Sequence, residues 1–136
     1  MKKLNKKGFT LVELLAVIVI LGLLMSVAVG AVTIYMDKSK KQAMETIIST
    51  AYDGAVNTLM EENIMLNEEE STSFTLQELY ENGSIERPAD PYNSSKECEG
   101  YVKVTNPKSA SSAEIDNYQY KVHIECTGNR TMEKTY

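Results

Sequence analysis

The chain has 136 residues and a formal net charge of −5, from 14 basic and 19 acidic residues. Without the four lysines that precede Gly8, ten basic residues face 19 acidic ones, a formal charge of −9. A protein this acidic repels nucleic acid, so direct nucleic-acid binding is not expected. The residues that follow the apolar N-terminal segment suffice for one small domain and exclude two.

The N-terminus combines a lysine-rich leader with a long apolar run. Leu14 to Met36 are 23 consecutive residues without a charge, more than the roughly 20 that a helix needs to cross a bilayer. Only Glu13 carries a charge near the start of this run. Because flanking lysines stay on the cytoplasmic side, the leader is predicted to face the cytoplasm and the C-terminal part the outside.

Three fates of this segment compete. A signal peptide would be cut after small residues such as Val29-Gly30-Ala31, but its apolar region would exceed the typical length of about 7–15 residues. An uncleaved signal anchor is the second alternative. The third rests on Gly8-Phe9-Thr10-Leu11-Val12-Glu13, a hexapeptide placed directly between the basic leader and the uncharged run.

This hexapeptide resembles the processing site of type IV prepilins, and the N-terminus is similar to that of the type IV pilin and pseudopilin superfamily. The resemblance implies that residues 1–8 are a leader peptide, that a prepilin peptidase cuts between Gly8 and Phe9, and that Phe9 is N-methylated. It also implies that residues 9–36 are retained as a transmembrane and polymerisation helix. A composition with only two arginines, together with a loop at residues 90–93 that resembles one of Gram-positive pilin-like proteins, favours the Gram-positive type.

Glu13 needs a physical reason, because a lone carboxylate in a bilayer costs about 2.5–3.5 kcal/mol on insertion scales. Either Glu13 lies close enough to the lipid headgroups to stay hydrated, or it has a partner. The resemblance implies that Glu13 pairs with the α-amine of Phe9 in a neighbouring subunit, an amine that cleavage after Gly8 would create. Glu13 is therefore the predicted assembly residue.

Residues 37–136 are predicted to form an extracellular pilin-like domain that begins with an amphipathic helix over residues 37–63. No proline interrupts residues 9–63, so one continuous helix is the simplest interpretation, with Gly54 a tolerated weak point. The apolar stripe recurs at three- and four-residue spacing and is predicted to pack against a sheet. It comprises Met44, Ile47, Ile48, Ala51, Tyr52, Ala55, Val56, Leu59 and Met60.

The acidic stretch over residues 61–73 is interpreted as a solvated connector, because its glutamates lack the spacing of a calcium loop. Thr75 and Glu78 have the spacing of a capping box, which predicts a short helix over residues 75–82 that ends at Gly83.

Alternating apolar and polar residues predict strands near residues 100–105 and 118–126, and Gly128-Asn129 is a turn signal that would add a third strand over residues 130–134. Antiparallel pairing with Val104 opposite Tyr120 places Cys98 opposite Cys126. That register is consistent with a disulfide, which would contribute about 3–4 kcal/mol. The predicted fold is α+β, with a long N-terminal helix packed against a small antiparallel sheet of two or three strands.

The sequence contains no nucleophile with its base, no paired ligand set and no glycine-rich phosphate loop, so an enzyme is not expected, and neither a cofactor nor a metal is predicted. His123, the only histidine, falls on the outward face of its strand and is predicted to be a surface residue.

The leading hypothesis is a structural subunit of a type IV pilus or of a type II secretion or competence pseudopilus. Such a subunit is a single-pass membrane protein before assembly and then part of an extracellular filament at the cell surface. By resemblance, its partners are copies of itself or related pilins, the prepilin peptidase, an assembly platform protein and an ATPase. The alternative is a monomeric membrane-tethered binding module, which requires neither cleavage after Gly8 nor a role for Glu13.

Overall fold

The computed structural model describes residues 8–107 and 115–136. Its packing divides the chain into two compact units, with the division after Ser39. One long helix extends across this division, and every other element belongs to the second unit. The elements are α1 (Leu11–Glu61), β1 (Ser71–Thr75), α2 (Leu76–Glu81), β2 (Ala89–Asp90), β3 (Asn93–Glu97), β4 (Glu99–Thr105), a 3-10 turn (Ile115–Asn117), β5 (Gln119–Cys126) and β6 (Arg130–Thr135).

Helix α1 ends at Glu61, two residues before the predicted boundary, because Asn63 adopts the left-handed conformation with a φ of 51°. The N–H of Ile64 donates to the carbonyl of Leu59 at 2.9 Å, and the N–H of Asn63 donates to the carbonyl of Met60 at 3.3 Å. This pair of bonds is a Schellman motif, which satisfies carbonyls that the end of a helix leaves free.

The larger sheet has the strand order β1-β4-β5-β6 with antiparallel neighbours, and β2 pairs with β3 in a separate two-stranded sheet. Val104 lies opposite Tyr120, which is the register expected from the sequence. Alternate residues of β4 and β5 face inward and pack with the stripe of α1 and with α2. The largest fully buried side chains are Ile48, Leu59, Leu76, Leu79, Val102, Val104, Val122 and Ile124.

The α+β class with a long helix on an antiparallel sheet is confirmed, but the predicted number of two or three strands is wrong. The sequence interpretation missed β1, β2 and β3, because these strands carry almost no apolar alternation. Strand β1 begins inside the stretch interpreted as a connector, and only Phe74 in it is a large apolar residue. Strand β3 reads Asn-Ser-Ser-Lys-Glu. Backbone pairing to β4 and to β2, rather than side-chain burial, holds these strands in place.

Helix α2 begins with the capping box that the sequence predicts. The N–H of Glu78 donates to Thr75 Oγ1 at 3.1 Å, and the N–H of Thr75 donates to Glu78 Oε2 at 2.7 Å. Hydrogen bonds from the Thr75 backbone and side chain lower the pKa of Glu78, since they favour its charged form. The box therefore fixes the start of α2, where Leu76 and Leu79 enter the core.

Gly54 is a packing requirement rather than a weak point of the helix. A Cβ atom at this position would collide with Cγ2 of Ile85 and would lie 3.3 Å from the carbonyl oxygen of Ser84. Thr58 of α1 also contacts the segment that follows α2. Its Oγ1 lies 2.9 Å from Ser84 Oγ and accepts a hydrogen bond from Asn82 Nδ2 at 3.3 Å. The segment after α2 thus lies directly on the α1 backbone.

We predict that Gly54→Ala lowers the free energy of unfolding of the full chain in detergent micelles by about 1 kcal/mol. Overpacking costs about 1–3 kcal/mol, which outweighs the gain of up to about 1 kcal/mol in helix propensity. Urea titration followed by circular dichroism measures the change. In an Ile85→Ala background, which removes the colliding methyl group, the same Gly54→Ala change should instead stabilise the chain. Stabilisation by Gly54→Ala alone would contradict the packing argument.

Candidate functional site

The predicted processing site lies in a short non-helical segment before α1. Residues Gly8–Thr10 are outside the helix and exposed, and Phe9 is 89% exposed. Apart from the residues next to Gly8 in the chain, no atom of the described residues lies within 4 Å of a Cβ built on it, so this side of the predicted cut is open to a protease. The leader lysines lie outside the described residues.

Glu13 has a role within its own chain that the sequence interpretation missed. The N–H of Thr10 donates to Glu13 Oε2 at 3.1 Å, and the N–H of Glu13 donates to Thr10 Oγ1 at 3.3 Å. These reciprocal bonds have the form of a capping box at the start of α1. The signal was available, since Thr10-Leu11-Val12-Glu13 is a Thr-x-x-Glu sequence before an apolar run.

The apolar part of α1 has no protein covering it in the described structure. Every large apolar side chain from Leu14 to Met36 is at least half exposed, although burial of such side chains is the main driving force of folding. By length and composition, α1 is the one described helix that is able to span a membrane. An uncovered apolar helix requires either lipid or other apolar helices around it.

The hydroxyl groups of Ser26 and Thr33, in this part of α1, are satisfied within the helix. Ser26 Oγ donates to the carbonyl of Leu23 at 2.7 Å, and Thr33 Oγ1 donates to the carbonyl of Gly30 at 3.0 Å. In hydrocarbon, where no water is present, a polar group without such a partner would cost several kcal/mol. The segment therefore suits an apolar environment along its length.

The disulfide expected from the strand register is present in the structure. Cys98 and Cys126 are bonded to each other with Cα atoms 4.4 Å apart, and both are buried. Glu99 opposite Glu125 is the end pair of the β4–β5 register. Cys98 directly precedes Glu99 in the chain, and Cys126 directly follows Glu125. The bond ties the start of β4 to the end of β5.

Asp90 is a buried carboxylate beside this disulfide, and the sequence interpretation gave it no role. Its Oδ1 accepts from the N–H groups of Tyr92 (2.7 Å) and Asn93 (3.3 Å), and its Oδ2 accepts from the N–H of Thr127 (2.7 Å). Burial by itself raises the pKa of Asp90, but the hydrogen bonds from Thr127, Tyr92 and Asn93 outweigh it, so the net pKa is lowered. Asp90 thereby fastens the β2–β3 hairpin to the β5–β6 turn.

Tyr92, in the same hairpin, is held between two cations. The guanidinium of Arg130 lies 4.1 Å from the centre of the Tyr92 ring, and Lys40 Nζ lies 5.2 Å from it. Such contacts contribute about 0.5–1 kcal/mol at exposed sites. They connect the hairpin to α1 and to β6, two elements that the sequence alone does not link to it.

Asp90, Cys98 and Cys126 place three metal-ligand atoms within 4.8 Å of one another. A metal requires thiolates, and both sulfur atoms are already bonded to each other. Only the carboxylate remains as a donor, so this arrangement is a structural cluster rather than a metal site.

His123 lies on the outer face of β5, as the alternation of that strand predicts. Its Nδ1 is 3.5 Å from Glu133 Oε2, and Lys121 Nζ is 3.0 Å from Glu133 Oε1. The hydrogen bond from Lys121, followed by the nearby charges of Lys121 and His123, lowers the pKa of Glu133 despite partial desolvation. These contacts join β5 to β6 on the exposed face of the sheet.

Residues 3–29 match the family model described as the prokaryotic N-terminal methylation motif. The match covers Gly8, Phe9 and Glu13 and ends within the apolar part of α1, so the chain carries the type IV pilin-type N-terminal signal. This signal points to a structural protein. No curated protein and no solved structure matches the chain.

We predict that Asp90→Asn lowers the free energy of unfolding by about 1–3 kcal/mol at pH 7, because Thr127 loses the acceptor of its N–H group. The contribution of Asp90 is present above its unfolded pKa of about 3.9 and is lost as the pH falls through its lower native pKa. The difference between wild type and variant should therefore shrink below about pH 4. Denaturant titrations from pH 7 to acid measure it, with the exposed Asp53→Asn as the charge-matched control. A difference that stays constant with pH would contradict this prediction.

Proposed function

We propose that the chain is a structural subunit that is cut between Gly8 and Phe9, methylated on the Phe9 amine and assembled through its N-terminal helix. The product is a type IV pilus or a type II secretion or competence pseudopilus. One observation carries the proposal: the methylation motif at residues 3–29 leads directly into an apolar helix that nothing in the described structure covers.

Lipid covers this helix before assembly in the proposed pathway, and the helices of neighbouring subunits cover it afterwards. A contact of this kind joins two different faces of the same protein and does not close on itself, so it produces an open filament. The leader stays in the cytoplasm, and the disulfide-clamped domain is outside the cell, where disulfides persist. Residues 1–8 are the proposed leader, residues 9–36 the polymerisation helix and residues 37–136 the displayed domain.

Glu13 is the proposed assembly residue, and the capping box is compatible with that role. The box engages Oε2 of the carboxylate, and a carboxylate has two oxygens that each accept hydrogen bonds. Oε1 therefore remains available to the methylated amine of Phe9 in a neighbouring subunit. A charge pair in a bilayer avoids the cost of a lone carboxylate, which makes it a device for aligning incoming subunits.

The proposed partners are copies of this chain or related pilins, the prepilin peptidase, an assembly platform protein and an ATPase. A monomeric membrane-tethered binding module is the second candidate. One observation favours it: the capping box gives Glu13 a role that requires no neighbour.

The first test is mass spectrometry of the protein isolated from its native host membrane. We expect a chain that begins at Phe9 and carries one additional methyl group on its amine. Replacing Gly8 by valine should leave the leader uncut, because a side chain at position 8 would occupy the space through which the peptidase reaches the backbone. A chain that retains its leader, or that begins near Val32, would contradict the filament proposal.

The second test separates the charge of Glu13 from its hydrogen bond. Glu13→Gln keeps an oxygen that accepts from the Thr10 N–H but removes the charge, whereas Glu13→Ala removes both. We expect both variants to be processed and both to lower the yield of sheared filaments at least tenfold. If Glu13→Gln assembles like wild type while Glu13→Ala does not, the capping bond matters and the pairing hypothesis is wrong.

A further inference from the structure

A groove of about 870 Å³ lies on the side of the domain formed by α2, β3 and the adjoining ends of β4 and β5. Its volume falls in the range of about 300–1,000 Å³ that is typical of ligand sites. Cys98, one of its lining residues, is fixed by the disulfide to Cys126. Neither the N-terminal motif nor the apolar helix accounts for this groove.

Two exposed aromatic rings line the groove. Tyr80 of α2 is 43% exposed and Tyr101 of β4 is 39% exposed. The Tyr101 ring is stacked on the His123 ring, with ring centres 5.5 Å apart. His123 therefore supports one face of the Tyr101 ring. Exposed tyrosines in a groove offer flat, polarised faces on which a planar cation or an apolar group can lie.

Two carboxylates that also line the groove oppose each other in the sheet. Glu99 of β4 and Glu125 of β5 are directly paired in the register, one residue pair beyond Gly100 and Ile124. Like charges in such positions destabilise a sheet. Both side chains are exposed, and neither has an ion pair within the described part of the chain.

The remaining charges of the groove compensate this negative pair only in part. Arg87 lies 2.6 Å from Glu97, so these two residues neutralise each other. His123 also lines the groove, and its Nδ1 lies 3.5 Å from Glu133. Lys96 therefore supplies the one positive charge among the lining residues that faces the two negative charges of Glu99 and Glu125. The groove therefore has an excess of one negative charge, which favours a cationic group over an acidic one.

We propose that this groove binds an arginine side chain of a partner protein. Carboxylates directly opposite each other project from Cβ atoms about 4.5–5.5 Å apart, and a guanidinium presents a planar fork of donors that suits two carboxylate groups. The face of the guanidinium would lie on Tyr101, two residues from Glu99 on the same side of β4. Binding relieves the repulsion between Glu99 and Glu125.

Arginine fits better than the other cations that two carboxylates attract. A lysine ammonium is a compact point charge without a planar face, and calcium needs about six to eight oxygen ligands, more than this pair supplies. Two like charges placed opposite each other destabilise a sheet. Destabilising arrangements of this kind occur in real proteins at functional sites. The proposal does not depend on assembly of the chain into a filament.

The test titrates the full chain in detergent micelles with three peptides that differ at one residue. The probes are acetyl-Gly-Ala-X-Ala-Gly-amide with arginine, lysine or the neutral isostere citrulline at X, in the presence of a calcium chelator. Amide resonances of the isotope-labelled protein report binding. We expect saturable shifts from the arginine peptide at Gly100, Tyr101 and Ile124, at least threefold weaker binding of the lysine peptide, and none from the citrulline peptide.

Two variant pairs with equal charge changes locate the site. Glu99→Gln with Glu125→Gln should weaken arginine binding at least tenfold, whereas Glu61→Gln with Glu62→Gln, on exposed residues at the end of α1, should change it less than twofold. Tyr101→Leu should weaken it several-fold while leaving the spectrum of the folded domain intact. Unsaturable binding, equal binding of citrulline or lysine, or equal losses in the two variant pairs would overturn the proposal.

Discussion

The domain depends on the packing of one stripe of α1 against the inner face of the four-stranded sheet. Met44, Ile48, Ala51 and Leu59 share one buried cluster with the inward residues of β4 and β5. Tyr52 extends this contact, with its ring edge-on to Tyr120 at 4.9 Å and stacked on Tyr136 at 4.3 Å. Without this surface, neither the polar strand β1 nor the charged strand β6 would have anything to pack on.

The half of the domain that surrounds β2 and β3 is held by different forces. These strands bury little apolar surface, so the disulfide, the hydrogen bonds of Asp90 and the cations around Tyr92 stabilise them instead. A small domain with a modest core often uses a covalent clamp in this way. The arrangement also sets the position of the groove, because the clamp joins the strand ends on which Glu99 and Glu125 lie.

Glu13 has an observed role as a helix cap and a proposed role in assembly. As a capping residue it satisfies a backbone donor at the start of α1, which every helix in an apolar environment requires. As a proposed charge partner it recognises a neighbour. Both roles use the same carboxylate and become compatible because each engages a different oxygen. The position of the charge in the first turn of the helix thus has a physical reason with or without assembly.

The sequence by itself determined the features that depend on local pattern. The uncharged run of α1, the capping box of Thr75, the alternation in β4 and β5 and the register that brings Cys98 to Cys126 are encoded within short stretches or simple spacings. The N-terminal methylation motif is likewise a local signal, because it lies within the consecutive residues 3–29.

Only the tertiary structure decided the features that depend on residues distant in the chain. Strands β1 and β3 exist because β4 and β2 supply backbone partners, which no periodicity in their own residues reveals. Gly54 is required because Ile85 crosses it, and Asp90 is structural because Thr127 donates to it. The groove, with Glu99 facing Glu125 beside Tyr101, likewise arises from strand pairing, since pairing places side chains together that the sequence separates by more than twenty residues.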